Sequence, residues 1–342
     1  MKLSILFFLS VLFYLALLTA FTNSTTLQAD DIDLFVCAGQ SNMQGWQGNG
    51  AYYPADPDNL DSQIKLYWVY PATKTDETAT SSEAQWTTLK PQNGRFPDGH
   101  FGPEVTFARK LKKSGFNPAI FKYSDGGTSL GGDWKAPGSG GMYDAMVTEF
   151  KKAVDLLKSQ GHNVIFRGLV WIQGESDGEY TVLRDAYEDN LKILINDFRN
   201  NVIEVDSLPV ILGVDEQHLF VTWDPDKIVG AQERIAESDP KIIFTSMIGL
   251  QKADSTHLTP DGLLEHGDRL YNDAMSAGIF SDQTDLPPTA SDDNYSAAQD
   301  SVLSIKAPGV LINDSNPTTE TSDAWINKAD LTRTPYQPNP KN

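Results

Sequence analysis

Ile32-Asp33-Leu34-Phe35-Val36-Cys37-Ala38-Gly39-Gln40-Ser41-Asn42-Met43 is the stretch around which the rest of the chain can be ordered. Ile32 to Cys37 is short, apolar and bounded by polar residues, the pattern of a buried β-strand. Gly39 then gives the backbone freedom to turn, and a serine just past such a strand end is presented rather than buried. Ser41 is therefore a candidate nucleophile. The plain alternative is a serine capping the next helix, which the pentapeptide Gly39 to Met43 fits equally well. No second glycine follows at the spacing of the usual nucleophile elbow, so the rest of the chain has to supply the base and the donors.

Outward toward the amino terminus, Met1-Lys2 precedes an apolar run from Leu3 to Phe21, with small residues near Ala20 and Ala29. A charged start, an apolar centre and small residues at the exit describe a secretory signal over residues 1–29; an uncleaved anchor is the alternative. The expected destination is secreted, extracellular or periplasmic, with no membrane contact beyond such an anchor. The whole chain has 342 residues, 40% of them apolar, enough for one full-sized domain and an appendage. Its 27 Lys and Arg stand against 46 Asp and Glu, a formal charge of -19 that argues against nucleic acid as a partner and suits a neutral substrate. The single cysteine, Cys37, lies in the apolar strand and reads as a small core residue. Neither a CxxC pair nor an HxxxH pair is present, so no metal or cofactor is expected.

Outward toward the carboxyl terminus, Gly45 to Phe101 is long, irregular and rich in aromatic residues, among them Trp46, Tyr52, Tyr67 and Trp86. A segment this long is either functional or holds small strands of its own. Its rings could floor a sugar site or form a mini-core. Gly102-Pro103-Glu104 opens a helix, with proline in the first turn and glutamate favoured by the helix dipole. Further strands are expected at Asn117 to Tyr123, Val164 to Ile172, Pro209 to Val214 and Lys241 to Met247. Between and after them come helices at Met142 to Gln160, Asp185 to Arg199, Ile228 to Ala236, and from Thr259-Pro260-Asp261 to about Gly278. Five alternations predict a five-stranded parallel sheet covered by helices on both faces, with ligands at the edge formed by the strands' carboxyl ends. Ser41, Gly126-Gly127, Gln173-Glu175 and Asp254 to His257 would all arrive there.

An acyl-transfer serine needs a base and a group to orient that base. Of the five histidines, His257 has Asp254 three residues earlier, on a loop before a capped helix, and is the preferred base. His218, in Asp215-Glu216-Gln217-His218, reaches the same edge and is the rival. The oxyanion would need preorganised donors, for which the backbone N–H groups of Ser41 and Gly127 and the side-chain amide of Gln173 are the candidates.

Taken together, Gly-Gln-Ser-Asn-Met at 39–43, Gly-Pro-Glu at 102–104, Gly126-Gly127, Trp-Ile-Gln-Gly-Glu-Ser-Asp at 171–177 and Asp-Ser-Thr-His at 254–257 resemble the SGNH hydrolase superfamily. Within it they resemble the sialate O-acetylesterase and family 6 carbohydrate esterase group, which includes acetylxylan esterase-like members. The resemblance spans about residues 31–280. It implies a flavodoxin-like three-layer α/β/α fold and a metal-free Ser/His/Asp mechanism, with Ser41, His257 and Asp254 in those roles. It also implies hydrolysis of acetyl groups from sugar hydroxyls. Gln173 stands where much of the superfamily has an asparagine donor. Gln40, Asn42, Glu175 and Trp46 are candidate substrate contacts, with loop bracing the alternative for Glu175 and for Asp177. Other expectations stay open: a lipid or aryl ester substrate, or a non-catalytic glycan-binding protein on the same scaffold.

A catalytic domain over residues 30–281 is thus expected to precede a segment, 282–342, of different composition, marked by Pro287-Pro288 as a linker. Tyr295 to Ile312 resembles the opening strands of a cadherin-like or Ig-like repeat. The 58 residues from Asp285 onward fall short of the roughly 100 such a sandwich needs, so an incomplete, poorly ordered module is expected.

Overall fold

The structure, a computed structural model, describes residues 30–71, 81–218 and 224–280. The leader expected over 1–29 and the tail expected over 282–342 lie outside the described residues.

The first strand, β1 (Asp31–Gly39), is buried along nearly its whole length. Its alternate side chains divide between two cores: Ile32, Leu34, Val36 and Ala38 enter one, Phe35 and Cys37 the other. A strand whose two faces both meet apolar layers sits in the middle of a covered sheet, which is why it reads as a continuous apolar run. The remaining strands are β2 (Lys65–Val69), β3 (Thr87–Thr88), β4 (Pro118–Ser124), β5 (Asn163–Ile172), β6 (Val210–Gly213) and β7 (Ile242–Phe244). They form one sheet in the order β3-β2-β4-β1-β5-β6-β7. All pairings are parallel except β2 with β3.

Among the described residues the expected five strands are therefore seven. The two additional ones come from the long aromatic segment, where Lys65-Leu66-Tyr67-Trp68-Val69 pairs alongside β4 and turns back through β3. The five strands expected from the sequence take the order 2-1-3-4-5 among themselves, the flavodoxin-like winding. The last of them is shorter than expected, covering Ile242–Phe244 within the predicted Lys241 to Met247.

Among the described residues the α-helices are α1 (Ser41–Gln44), α2 (Glu104–Lys113), α3 (Met142–Ser159), α4 (Glu175–Gly178), α5 (Thr181–Asp197), α6 (Pro225–Ser238) and α7 (Pro260–Ser276). Residues at helical spacing on α3 (Met146, Phe150, Val154, Leu157), α5 and α6 pack on the face bearing Leu34 and Val36. Those on α2 (Val105, Ala108, Leu111) and α7 (Leu263, Leu270, Ala274) pack on the face bearing Phe35. The result is three layers. Thr259 caps α7 by accepting from the Gly262 N–H at 3.1 Å, and Pro260 occupies the first turn, as the sequence predicts.

The strand ends are level. Gly39 pairs with Ser124 on one side and Ile172 on the other, and Ile172 pairs with Gly213. The loops after β1, β4, β5 and β6 consequently leave the sheet side by side. The sheet approaches itself so closely there that a Cβ on Gly39, whose φ is +145°, would lie 2.0 Å from the Ile172 carbonyl oxygen.

Candidate active site

Ser41 is the first residue of α1, where the backbone N–H groups of a helix have no intrahelical acceptor. The residues on either side of it tie it to two other loops. Gln40 Oε1 accepts from the N–H groups of Gly174 and Ser176, 3.3 and 3.4 Å away, fixing the start of α4. Asn42 reaches across the chain: its Oδ1 accepts from the Leu258 N–H, and its Nδ2 donates to the Thr256 carbonyl, each at 3.1 Å. Position 257 is thus held on both flanks by the residue next to Ser41.

Within that loop, His257 Nδ1 and Asp254 Oδ2 are 2.8 Å apart, and the other carboxylate oxygen accepts from the N–H groups of His257 and Thr256. Partial burial pushes the Asp254 carboxyl up, but these hydrogen bonds outweigh it and hold the group down at about 2. An ionised carboxylate only accepts, so the ring proton of neutral His257 belongs on Nδ1 and Nε2 is left as a proton acceptor. The rival His218 is differently placed. Its Nδ1 stands 4.0 Å from Asp215 Oδ2, a carboxylate oxygen that lies 2.5 Å from Lys252 Nζ. Burial, with Lys252 and His257 nearby, pushes its imidazole down to about 4.

Trp46 connects the two halves of the site. Its N–H donates to the Ser41 carbonyl at 3.0 Å, and its ring stacks with the His257 imidazole at 5.6 Å between centroids and 26° between planes. The Arg95 guanidinium lies 3.3 Å from the ring centroid, and Arg95 Nε donates to the Trp46 carbonyl at 2.8 Å. The ring expected to offer a floor for sugar instead carries these two side chains as neighbours. Gly126 packs against the same ring, where a Cβ would sit 2.9 Å from Cε3. Gly127 follows at φ +65°, a conformation that favours glycine.

Gln173 is fully buried, and its Nε2 donates to the Thr128 carbonyl at 3.1 Å and to Asp177 Oδ2 at 2.6 Å. An amide has two such hydrogens, so both are engaged within the fold. Asp177 also accepts from the N–H groups of Leu130 and Gly131, which makes it a brace for the loop after β4.

Glu175 Oε1 accepts from the Asp215 N–H at 3.2 Å and from Asn42 Nδ2 at 3.4 Å. Complete burial, and then the neighbouring Asp215 carboxylate, push the Glu175 carboxyl from 4.5 up to about 7. Between those values the folded chain holds a proton the unfolded chain has released, so this group's contribution to stability is complete below about 4.5 and is lost as pH rises through 7. The Glu175→Gln chain, which keeps an acceptor for Asn42, is expected to gain on the wild type by on the order of 1–3 kcal/mol between pH 5 and 8. Parallel denaturation curves for the two chains across that interval would contradict the assignment.

Two residues of the surroundings escape sequence reasoning. Lys122, midway along β4, is fully buried in an ion pair with Glu104, 2.8 Å from Oε2 to Nζ, and also donates to the Gln44 carbonyl at the end of α1. A lone lysine within Ala-Ile-Phe-Lys-Tyr was the available signal, since a buried ammonium requires a partner. Arg95 lies in the long loop and carries no comparable signal.

A family model for "Carbohydrate esterase, sialic acid-specific acetylesterase" matches residues 31–276. No curated protein matches the chain at the sequence level. Among solved structures, a protein from Arabidopsis thaliana is similar at TM-score 0.54 and 21% identity, over 72% of this chain and 98% of its own. NanS is similar at TM-score 0.50 and 16% identity, over 73% and 98%. A carbohydrate acetylesterase from Xanthomonas citri is similar at TM-score 0.51 and 18% identity, over 74% of this chain and 57% of its own. At these identities the solved structures bear out the α/β fold, and the family model carries the assignment: the chain belongs to the sialic acid-specific acetylesterase family of carbohydrate esterases and is a carboxylic ester hydrolase.

Proposed function

We propose that the chain removes O-acetyl groups from carbohydrate by a Ser/His/Asp acyl-enzyme mechanism, with Ser41 the nucleophile, His257 the base and Asp254 its orienter. The observation that best supports this is the 2.8 Å His257–Asp254 pair on a loop clasped at residues 256 and 258 by Asn42. His257 Nε2 takes the Ser41 hydroxyl proton as Oγ bonds to the acetyl carbonyl carbon. The tetrahedral intermediate collapses with loss of the C–O bond to the sugar, whose oxygen receives that proton. Water, deprotonated by the same imidazole, attacks the acetyl-serine; the bond from the acetyl carbon to Ser41 Oγ breaks, Oγ takes the proton back from the imidazole, and acetate is released.

The backbone N–H groups of Ser41 and Gly127 are the proposed oxyanion donors. In this reading Gln173 serves them from behind, through the Thr128 carbonyl it holds. Gln40 and Asn42 act chiefly by stitching loops together, and Glu175 supports Asn42.

The proposed substrates are acetylated sialic acid and acetylated xylan-type polysaccharide. The apolar leader over residues 1–29 supports export, to the periplasm or beyond the cell. Acetate release, measured beside p-nitrophenyl acetate on acetylated sialic acid, acetylated xylan and a long-chain ester, tests the assignment. Faster turnover on at least one acetylated sugar than on the long-chain ester is expected. Preference for the long-chain ester would overturn it.

A further inference from the structure

Trp46 has two planar companions. The Arg95 guanidinium lies 3.3 Å from the ring centroid, and the near-parallel imidazole of His257 lies 5.6 Å from it. Arg95 is anchored as well as stacked, through the bond from its Nε to the Trp46 carbonyl. Its own backbone stands at φ +53°, a conformation a side-chain-bearing residue adopts at a cost. Trp46 in turn donates to the carbonyl of Ser41. A guanidinium and an imidazole therefore lie against one indole, and the backbone N–H of the residue that carries the indole donates to the backbone of the nucleophile.

This stack has an electrostatic direction. An indole face attracts a cation, and an imidazolium on an otherwise open tryptophan would be stabilised by it. Here the ring's electrons already face the fixed charge of Arg95. A second positive charge against the same ring gains less from it and is repelled by the first. Asp254 acts in the opposite sense, favouring imidazolium through its 2.8 Å contact. The other charged or titratable groups near the ring are Lys252, which donates to the Ser255 carbonyl, and Asp215 and the uncharged imidazole of His218 from the loop after β6.

We propose that Arg95 and Trp46 are positioning residues for the base: the indole keeps the His257 ring in one plane against the nucleophile's helix, and the cation held on the same indole disfavours a second positive charge beside it. The proposal rests on the reading of His257 as the base.

The test is a set of kcat and KM profiles against pH, with p-nitrophenyl acetate, for the full chain and its variants. In Arg95→Met the midpoint of the acidic limb of kcat/KM is expected to rise by about half a pH unit, because imidazolium is no longer disfavoured. Arg95→Lys, which keeps the charge without the flat stack, is expected to bring the midpoint back. Trp46→Leu is expected to lower kcat about tenfold with KM changed less than about twofold, and Trp46→Phe to recover part of the loss. A role confined to holding the loop would lower kcat or stability without moving the limb, so an unmoved midpoint in a folded Arg95→Met chain overturns the proposal. If that variant does not fold, Arg95→Gln carries the same comparison. His257→Ala separates the two readings. Undiminished turnover there removes the assignment of the base, whereas a dead His257→Ala beside an Arg95→Met profile superimposable on wild type removes only the role of the stack.

Discussion

The Ser41→Ala chain is expected to lose p-nitrophenyl acetate turnover by about 10⁴- to 10⁶-fold while keeping its circular dichroism spectrum and unfolding temperature. The size of the effect follows from the division of labour in such a site. Without the hydroxyl there is no acyl-enzyme route, and the base and oxyanion donors can only assist direct attack by water. The fold is expected to be indifferent, because the side chain removed is small and Ser41's structural bonds are made by its backbone, whose carbonyl accepts from the N–H groups of Gly45 and Trp46. Turnover within tenfold of the wild type would place the chemistry on another residue. A lost fold with lost activity would leave Ser41 a structural role and contradict the expectation equally.

The second large effect is on stability. Lys122 and Glu104 are both withdrawn from water and face each other across 2.8 Å. Glu104 Oε1 also receives Gln92 Nε2 at 2.6 Å and the Gly102 N–H at 3.0 Å, while Lys122 donates to the Gln44 carbonyl. Removing one charge of such a pair leaves the other buried without compensation, at a cost of about 3–5 kcal/mol. Lys122→Met is therefore expected to lower the unfolding temperature by about 10 °C. The double change Lys122→Met with Glu104→Gln should recover part of that loss, since two neutral groups need no counter-charge. Equal stability of the single variant and the wild type would show that the pair is not buried in solution. The pair also supports the carboxyl end of α1, so surviving Lys122→Met protein is expected to be slower as well as less stable.

The main sheet could be read from the sequence because its strands carry continuous apolar runs, and Gly, Pro and capping residues mark where each ends. The same logic failed at β2, whose five residues lie in a stretch dominated by Gly, Pro and Asp. Its pairing is decided by β4, more than fifty residues later, and no local pattern announces it. The candidate site was legible in its first layer for a related reason: topology alone brings the loops after successive parallel strands to one edge. What supports that layer was less legible. The mutual stacking of Arg95, Trp46 and His257 joins three separate loops, and the destination of the Gln173 amide depends on Asp177 and Thr128 together. Such contacts are fixed by three-dimensional placement and leave little trace in spacing.

Asn42 grips a loop more than two hundred residues further along the polypeptide. During synthesis, the early β-strands and their helices can be in place while the ribosome still holds the segment that Asn42 must clasp. In the proposed reading, a product that stops short of residue 256 lacks both this clasp and the base, and it is expected to release no acetate. On that proposal, hydrolytic capacity would mark the moment at which the loop bearing His257 reaches Asn42, and initial-rate measurements would follow that step of folding.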